Sequence, residues 1–485
     1  MRRLSLVTVV ALVVLAGCTA PISDAGDELD GDRELGRVGD YNATDTLEID
    51  GSDPLTEDER EAVKHRAMAR IEEIRGLEFE EDVELEVVSR EEYRERWQRD
   101  RDPASQFTNE LWRGAFVVDG ERDVNEAFDD LYGDSILGYY SDGRIVLVVD
   151  DADDRIDRTT LVHELVHALQ DQQFDLESGG ATIDERRATT GLVEGEAEYV
   201  PSLYDERCGE QWECLDATAP DTASLDQRSF NAGLFLSVYA PYAEGPTFVA
   251  HRHETTGWEG VDAVHENPPT STAQLIHPER YPEARPADVA IEDRSTSEWE
   301  PMADGDGERR TETVGEATLF ATLWANGVID RPLGEGAGAY SRYNYSHPAT
   351  DGWTGDTFVA YADGDETGHV WKLAWESETD AREFRDAYVE VLESESADAV
   401  DSSDGVYRIP DDEEFAGAYR VSLEGDEVVI VGGPTVADLE AIHGSSSTAT
   451  ATSTAISPAA PPTAPTPEAT SRPGTSADAS RPANP

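Results

Sequence analysis

The chain of 485 residues carries 104 acidic against 38 basic side chains, a formal charge of −66, which excludes a nucleic-acid-binding surface. Its only lysines are Lys64 and Lys372, and an acidic surplus with arginine in place of lysine reads as adaptation to multimolar salt, where the Debye length is about 3 Å at 1 M. The middle of the chain holds most of the nine Trp and many apolar runs, which argues against an intrinsically disordered acidic protein.

The N-terminus reads as an address. Arg2 and Arg3 precede an uncharged run from Leu4 to Gly17, too short to span a bilayer but suited to the apolar region of a signal peptide (1–17). The run ends in Leu15-Ala16-Gly17-Cys18, which resembles a lipobox, with Cys18 as the lipidated first residue of the mature chain. The alternative is a cleaved secretory signal with an incidental cysteine. The twin arginines are compatible with either Tat or Sec export. The location this implies is the cell membrane, lipid-anchored and facing outside. Residues 18–55 are rich in Asp, Gly and Ser with almost no periodic apolar positions, and read as an unstructured acidic tether. Asn42 lies in this stretch in an Asn-x-Thr sequon, compatible with glycosylation.

At Thr56 a capping box with Glu59 opens a helix whose apolar positions Val63, Ala67, Ile71 and Ile74 keep helical spacing until Gly76. A strand at Val83–Val88 and a helix from Glu91 to Trp97 complete a small α+β lobe over 56–135. From Ile136 the pattern predicts two strands, Ile136–Tyr140 and Arg144–Val149, around Ser141-Asp142-Gly143. In zinc proteases a strand beside the active-site helix commonly offers its edge to an extended substrate, and Ile145–Val149 is the candidate here.

Asp157 is then the expected N-cap of a helix running to Phe174 that contains Leu161-Val162-His163-Glu164-Leu165-Val166-His167-Ala168-Leu169. Residues i and i+4 share a helix face, so His163 and His167 can point ring nitrogens at one cation with Glu164 beside it. With 10 histidines in the chain, about 0.02 accidental matches to HExxH are expected. Two polar residues on an ordinary helix is the bland alternative, but the flanking positions are apolar nearly all round and imply a buried helix, where two imidazoles and a carboxylate need partners. After Gly179-Gly180 a second helix, Asp184 to Leu203, carries Glu194 and Glu198 on one face with Thr190 and Gly191 on or near it. Small residues of this kind let helices approach closely, and a carboxylate on a second helix is one way a third zinc ligand is delivered. Glu194, Glu196 and Glu198 are all candidates.

His-Glu-Leu-Val-His followed by Glu-Gly-Glu-Ala-Glu-Tyr resembles the gluzincin metallopeptidases, both thermolysin-like enzymes and gluzincin aminopeptidases, over residues 156–203. The resemblance implies zinc held by His163, His167 and Glu194, Glu164 as general base, and Glu198 as a residue orienting a ligand histidine; a solvated helix charge is the other reading of Glu198. It also implies a zincin-like core over 136–345 within an α+β fold. The longer stretch His163–Leu176 is more similar to HExxH lipoproteins of salt-adapted archaea than to thermolysin, and the separation of His167 from Glu194 departs from thermolysin's.

Cys208 and Cys214 are separated by five residues, which outside the cytoplasm predicts a disulfide closing a surface loop rather than a metal site. Phe230 to Tyr242 reads as an apolar helix, and His251 and His253 as surface or structural residues. His277, in a loop leading into a short apolar element, is a candidate oxyanion stabiliser, with a core or loop histidine as the alternative. Val314–Trp324 reads as a buried helix, and Asn344 stands in a second sequon. Two hairpins, Thr357–Tyr361 with Val370–Trp375 and Ala418–Leu423 with Val428–Val431, flank a helix over Asp380–Leu392, giving a C-terminal α+β subdomain over 346–433. The Ser/Thr/Pro-rich segment 444–485 reads as a disordered tail. The expected function is a membrane-anchored zinc peptidase acting on peptides or proteins outside the cell; the alternative is a non-catalytic zinc-binding surface lipoprotein, an adhesin or chaperone.

Overall fold

Short-range signals set the first elements. The structure, a computed structural model, describes residues 29, 31, 33–49, 55–97, 102–132, 137–141, 143–149, 156–176, 179–215, 230–401 and 403–444; the signal segment, Cys18 and the 445–485 tail lie outside these residues. Strands β1 (Arg37–Val38) and β2 (Tyr41–Asn42) pair antiparallel ahead of helix α1 (Glu57–Arg75), which Thr56 and Glu59 cap at one end and Gly76, at φ 75°, ends at the other. The unstructured tether expected over 18–55 is corrected for 33–49. Val38 and Ala43 are buried in the core under α1, and the buried Glu72 of α1 pairs with Arg33 and accepts from Gly36 N and Phe79 N, each at 2.9 Å. A few apolar residues with no periodicity suffice here because they pack on a helix that is already formed.

The next elements are β3 (Glu84–Ser89), α2 (Arg90–Trp97), α3 (Gln106–Gly114), α4 (Val124–Tyr132), β4 (Gly138–Ser141) and β5 (Arg144–Val149). They build a three-stranded sheet in the order β3-β5-β4, with β3 parallel and β4 antiparallel to β5. The sheet therefore crosses the boundary expected at 135/136. Ile145–Val149, the candidate for an edge offered to substrate, has none to offer, since β5 is paired on both sides and β3 and β4 are the outer strands. A central strand reads as a continuous apolar run, as Ile145–Val149 does; the run itself signalled the central place.

Helix α5 (Arg158–Phe174) starts where Asp157 accepts from Thr160 N at 2.8 Å, and every residue from Leu161 to Gln170 is buried. It packs against α1, β4, β5 and α6 (Ile183–Arg207). Cys208 and Cys214 beyond α6 form a disulfide with Cα atoms 5.6 Å apart. The helix expected to end at Tyr242 instead runs as α7 (Ala232–Glu266), through Pro241 and Pro246, with a break at Gly257. It is followed by α8 (Thr272–Ile276). No helix among the described residues is long and apolar enough to cross a membrane.

Beyond β6 (Glu300–Pro301) and α9 (Glu316–Ala325), the chain forms β7 (Trp353–Asp363), β8 (Glu366–Trp375), α10 (Glu378–Ser394), β9 (Asp398–Ala399), β10 (Val406–Ile409), β11 (Gly417–Glu424), β12 (Glu427–Gly433) and α11 (Val436–Ile442). The strands make one antiparallel sheet in the order β6-β7-β8-β12-β11-β10-β9. Its alternation is that of a sheet buried on both faces: Phe358, Ala360, Trp371 and Leu373 face the main core with α3, α7, α9 and α10, whereas Val359, Tyr361 and Val370 face Trp299 and α11. The unit thus extends past 346–433 at both ends, with β6 and α11 missed for their brevity. The described chain as a whole is mixed α+β.

Helix α3 is fastened to this sheet by a buried ion network. Glu110 accepts from Arg113 Nη2 at 2.7 Å, from Thr367 Oγ1 at 2.6 Å and from His369 Nδ1 at 2.7 Å. Burial raises the Glu110 carboxyl, but Arg113 and His369 outweigh it and hold it down at about 2. A depressed carboxylate pKa stabilises the fold above the unfolded value, about 4.3, and loses that contribution as pH falls toward 2. Glu110→Gln is therefore expected to cost about 3 kcal/mol at neutral pH. The gap to the wild type should close between pH 4.5 and 2, as read from denaturant midpoints in high salt.

A candidate metal centre between two helices

Helical spacing and a close helix crossing assemble the centre. His163 and His167, one turn apart on α5, bring their Nε2 atoms to 3.1 Å of each other. Glu194 of α6 points Oε2 between them, 3.3 Å from each Nε2. All three side chains are buried. Tetrahedral zinc with ligand distances of about 2.0–2.1 Å requires donor atoms separated by about 3.3 Å, so the three atoms stand where that ion needs them. Glu194 Oε2 and both oxygens of Glu164 are buried without hydrogen-bond partners, an arrangement that costs free energy unless a cation or a ligand proton meets them.

Residues around the triad aim its donors. Tyr242 of α7 donates to Glu194 Oε1 at 3.1 Å, leaving Oε2 for the centre. Glu198 Oε1 lies 3.6 Å from His163 Nδ1, and Gln170 Oε1 lies 3.0 Å from His167 Nδ1. Each imidazole thus has an oxygen beside its outer nitrogen while the inner one faces its neighbours, the arrangement that orients metal-binding histidines.

The electrostatics favour a cation. Burial lowers the His163 pKa, but Glu194, Glu164 and Glu198 outweigh it and push the imidazole up to about 9. Glu194 is raised by burial, yet the two imidazoles hold it at about 2. Burial pushes the Glu164 carboxyl up to about 7, against the pull of both histidines. Three carboxylates gathered on two imidazoles in a buried place make a locus of negative potential.

Close backbone approach makes room for this. Gly138 at the start of β4 lies over Glu164: a Cβ there would meet Thr160 Cγ2 at 2.9 Å, Glu164 Oε1 at 3.1 Å and Leu147 Cδ2 at 3.2 Å. Gly191 and Gly195 of α6 abut α7 and α8. A Cβ on Gly195 would fall 2.4 Å from the Gly245 carbonyl, one on Gly245 2.1 Å from Gly191 O, and one on Gly191 2.2 Å from Leu275. The small-residue face expected on this helix therefore serves contact with α7 and α8, and α7 brings Tyr242.

The other expected residues fall elsewhere. Glu196 pairs with Arg75 and accepts from His265 Nε2 at 2.7 Å, which takes it out of the competition for third ligand. His277 is held by Glu316 Oε1 at 3.0 Å, with Asp351 at 3.6 Å. That cluster already contains Arg280, which donates to Asp351 at 2.6 Å, and the structure does not bring His277 into the triad. A third group, Glu61, His65 and Asp82, surrounds Lys64, whose Nζ lies 3.0 Å from Asp82. His253 is structural: it bonds the Tyr199 hydroxyl at 3.1 Å and stacks on Trp258. Asn42 is exposed, and half-buried Asn344 donates to Glu335 O at 3.1 Å.

Sequence reasoning missed Tyr242 and Gln170. Gln170 stands three residues after His167, on the same helix face, a signal present in the sequence. Tyr242 reaches Glu194 across 48 residues, and no local pattern marks it.

Residues 300–443 match a family model described as a domain of unknown function, DUF8575. The match begins at β6, ends just past α11 and leaves His163, His167 and Glu194 outside it. No curated protein and no solved structure matches the chain.

The glycine crossing gives a direct expectation. Gly195→Ala and Gly245→Ala should each destabilise the protein by about 1–3 kcal/mol through overpacking, measured as a shift of the denaturation midpoint in high salt. Wild-type stability in both variants would mean that α6 and α7 have slack at the crossing.

Proposed function

We propose that the chain is a zinc-dependent metallopeptidase with a gluzincin-like centre, exported and held at the outer face of the cell membrane through Cys18. The observation that carries this reading is the convergence of His163, His167 and Glu194 at separations of 3.1–3.3 Å beside a buried Glu164 without hydrogen-bond partners. On this reading α5 is the active-site helix of a zincin-like core, α6 its ligand helix, and β4 an outer strand that lies along the reacting centre at Gly138. The disulfide between Cys208 and Cys214 supports an oxidising location outside the cytoplasm.

When bound, zinc supplies Lewis-acid polarisation of the substrate carbonyl and makes water a stronger acid. To hold it, His163 would give up the proton that its carboxylate neighbours otherwise keep on it at neutral pH; His163 and His167 would then present Nε2 lone pairs, and Glu194 a single oxygen because Tyr242 holds the other. Glu164 takes the proton of the water that attacks the carbonyl carbon, then returns it to the amide nitrogen as the C–N bond breaks. Its buried surroundings, which raise its proton affinity toward neutral pH, suit a group that both accepts and gives up a proton. A structural zinc site has no use for such a base and is normally closed by four protein ligands, whereas among the described residues three converge here.

Glu164→Gln is expected to retain one zinc per chain while peptide hydrolysis falls by at least about 100-fold. His163→Ala and Glu194→Ala are expected to lose zinc on dialysis. Metal analysis of protein refolded in high salt, followed by incubation with a mixed peptide library, makes both measurements. Stoichiometric zinc in both ligand variants would overturn the assignment, and undiminished cleavage by Glu164→Gln would leave the non-catalytic alternative standing.

A further inference from the structure

Behind the triad lies a buried polar chain that the reaction does not itself use. Gln170 donates through Nε2 to Val193 O at 3.0 Å and to Glu196 Oε2 at 3.1 Å. Both partners can only accept, so the amide has one orientation: flipping it would set Oε1 against two acceptors. Gln170 Oε1 therefore faces His167 Nδ1 at 3.0 Å and, being an acceptor, has to be met by an N–H. That places the hydrogen of His167 on Nδ1 and leaves the Nε2 lone pair pointing at the centre.

Glu196 is in turn fixed from the other end of the molecule. One oxygen takes the Arg75 guanidinium, and the other takes Gln170 and His265 Nε2. Arg75 is the last residue of α1, buried like Glu196; it also donates to Asp262 Oδ1 at 2.8 Å and lies over the Trp258 ring at 4.3 Å. A buried pair with this many hydrogen bonds has its geometry over-determined. Nothing about packing alone requires the far end of that pair to finish on the outer nitrogen of a metal-facing imidazole.

We propose that Gln170, held by Glu196 and through it by Arg75, is a positioning residue that sets the tautomer and ring orientation of His167, so that helix α1 is part of the metal-binding machinery. The inference rests on the zinc reading of the triad and assigns the N-terminal helix a function in it. The Glu196 side chain, although next to the ligand sequence, acts through Gln170 rather than on the metal.

The test uses the full chain in high salt, with zinc affinity measured by competition against a chromophoric chelator. In parallel, the exchange of the His167 Nδ1–H is followed by NMR in zinc-loaded, 15N-histidine-labelled protein, assigned with His167→Gln. Gln170→Ala is expected to weaken zinc binding about 10- to 100-fold and to expose the Nδ1–H to rapid solvent exchange. Gln170→Glu alone should do no better, since it sets two carboxylates face to face. Gln170→Met, close in volume but with nothing to accept from Nδ1–H, should weaken binding as much while keeping the interior filled. Unchanged affinity in Gln170→Ala, even with lowered stability, overturns the relay while the zinc reading stands. If Gln170→Ala does not fold, Gln170→Met decides: weakened affinity with a rapidly exchanging Nδ1–H supports the relay, and a folded protein of wild-type affinity overturns it. A wild-type chain that binds no zinc would remove the zinc reading itself.

Discussion

The close crossing of α6 with α7 is the constraint on which the centre depends. Helix axes ordinarily lie 8–10 Å apart, set by the side chains between them. Gly191, Gly195 and Gly245 remove those side chains, and their backbones touch. One consequence is that Tyr242, less than one turn before Gly245, reaches the Glu194 carboxylate, one residue before Gly195. Another is that α6 presents the adjoining face to α5, where Glu194 meets two histidines and Glu198 a third nitrogen. Three helices are thus locked by one contact, and the donor atoms inherit its tolerance.

How much of this was readable depended on how local each signal is. The motif helix, its Asp157 cap and the HExxH face are local, and α5 starts and ends where its sequence predicts. Spacing, helix packing and resemblance favour Glu194 over Glu196 and Glu198, but none of them shows where each carboxylate goes. The structure separates them by partner: Glu194 on the imidazoles, Glu196 on Arg75, Glu198 behind His163. Arg75 lies 121 residues from Glu196, and no periodicity encodes such a pairing. The 33–49 segment was misread for the same reason, because its order comes from Glu72 and the surface of α1. His277, a candidate oxyanion stabiliser only by analogy with enzymes of the resembled kind, instead takes the alternative given with it, a buried histidine paired with Glu316.

The composition has a structural counterpart. In a chain this acidic, surface ion pairs add little stability and are screened further by salt. Several of the scarce bases are spent inside: Lys64, Arg66, Arg70 and Arg75 are all at most 3% exposed, all on α1. Arg70 donates to Ala43 O, Tyr204 and Glu213 O, and Lys64 to Val83 O. Buried pairs escape screening and fix geometry, at a desolvation cost offset only when the hydrogen bonds are complete. Helix α1 is a polar spine running through an apolar cluster, and its buried bases tie 33–49, the small sheet and α6 together.

The C-terminal sheet bears on the centre through the first turn of α6. Asp356 of β7 accepts from Val314 N and Gly315 N, each at 2.9 Å, and from the indoles of Trp353 and Trp371 at 3.2 and 3.0 Å. This fixes the turn that enters α9. Asp184 packs on that turn so tightly that a Cβ on Gly315 would lie 1.9 Å from Asp184 Oδ1, and Gly315, at φ 82°, has the backbone conformation that favours glycine. Asp184 also accepts from Thr272 N at 2.9 Å, while Ile183 N donates to Glu312 Oε1 at 2.6 Å. The start of α6 is thus seated on the sheet, and its middle is seated on α7. With two points of the helix fixed, the position of Glu194 between them follows from the helical rise alone. The sheet that bears none of the three donor residues is in this sense part of what places one of them.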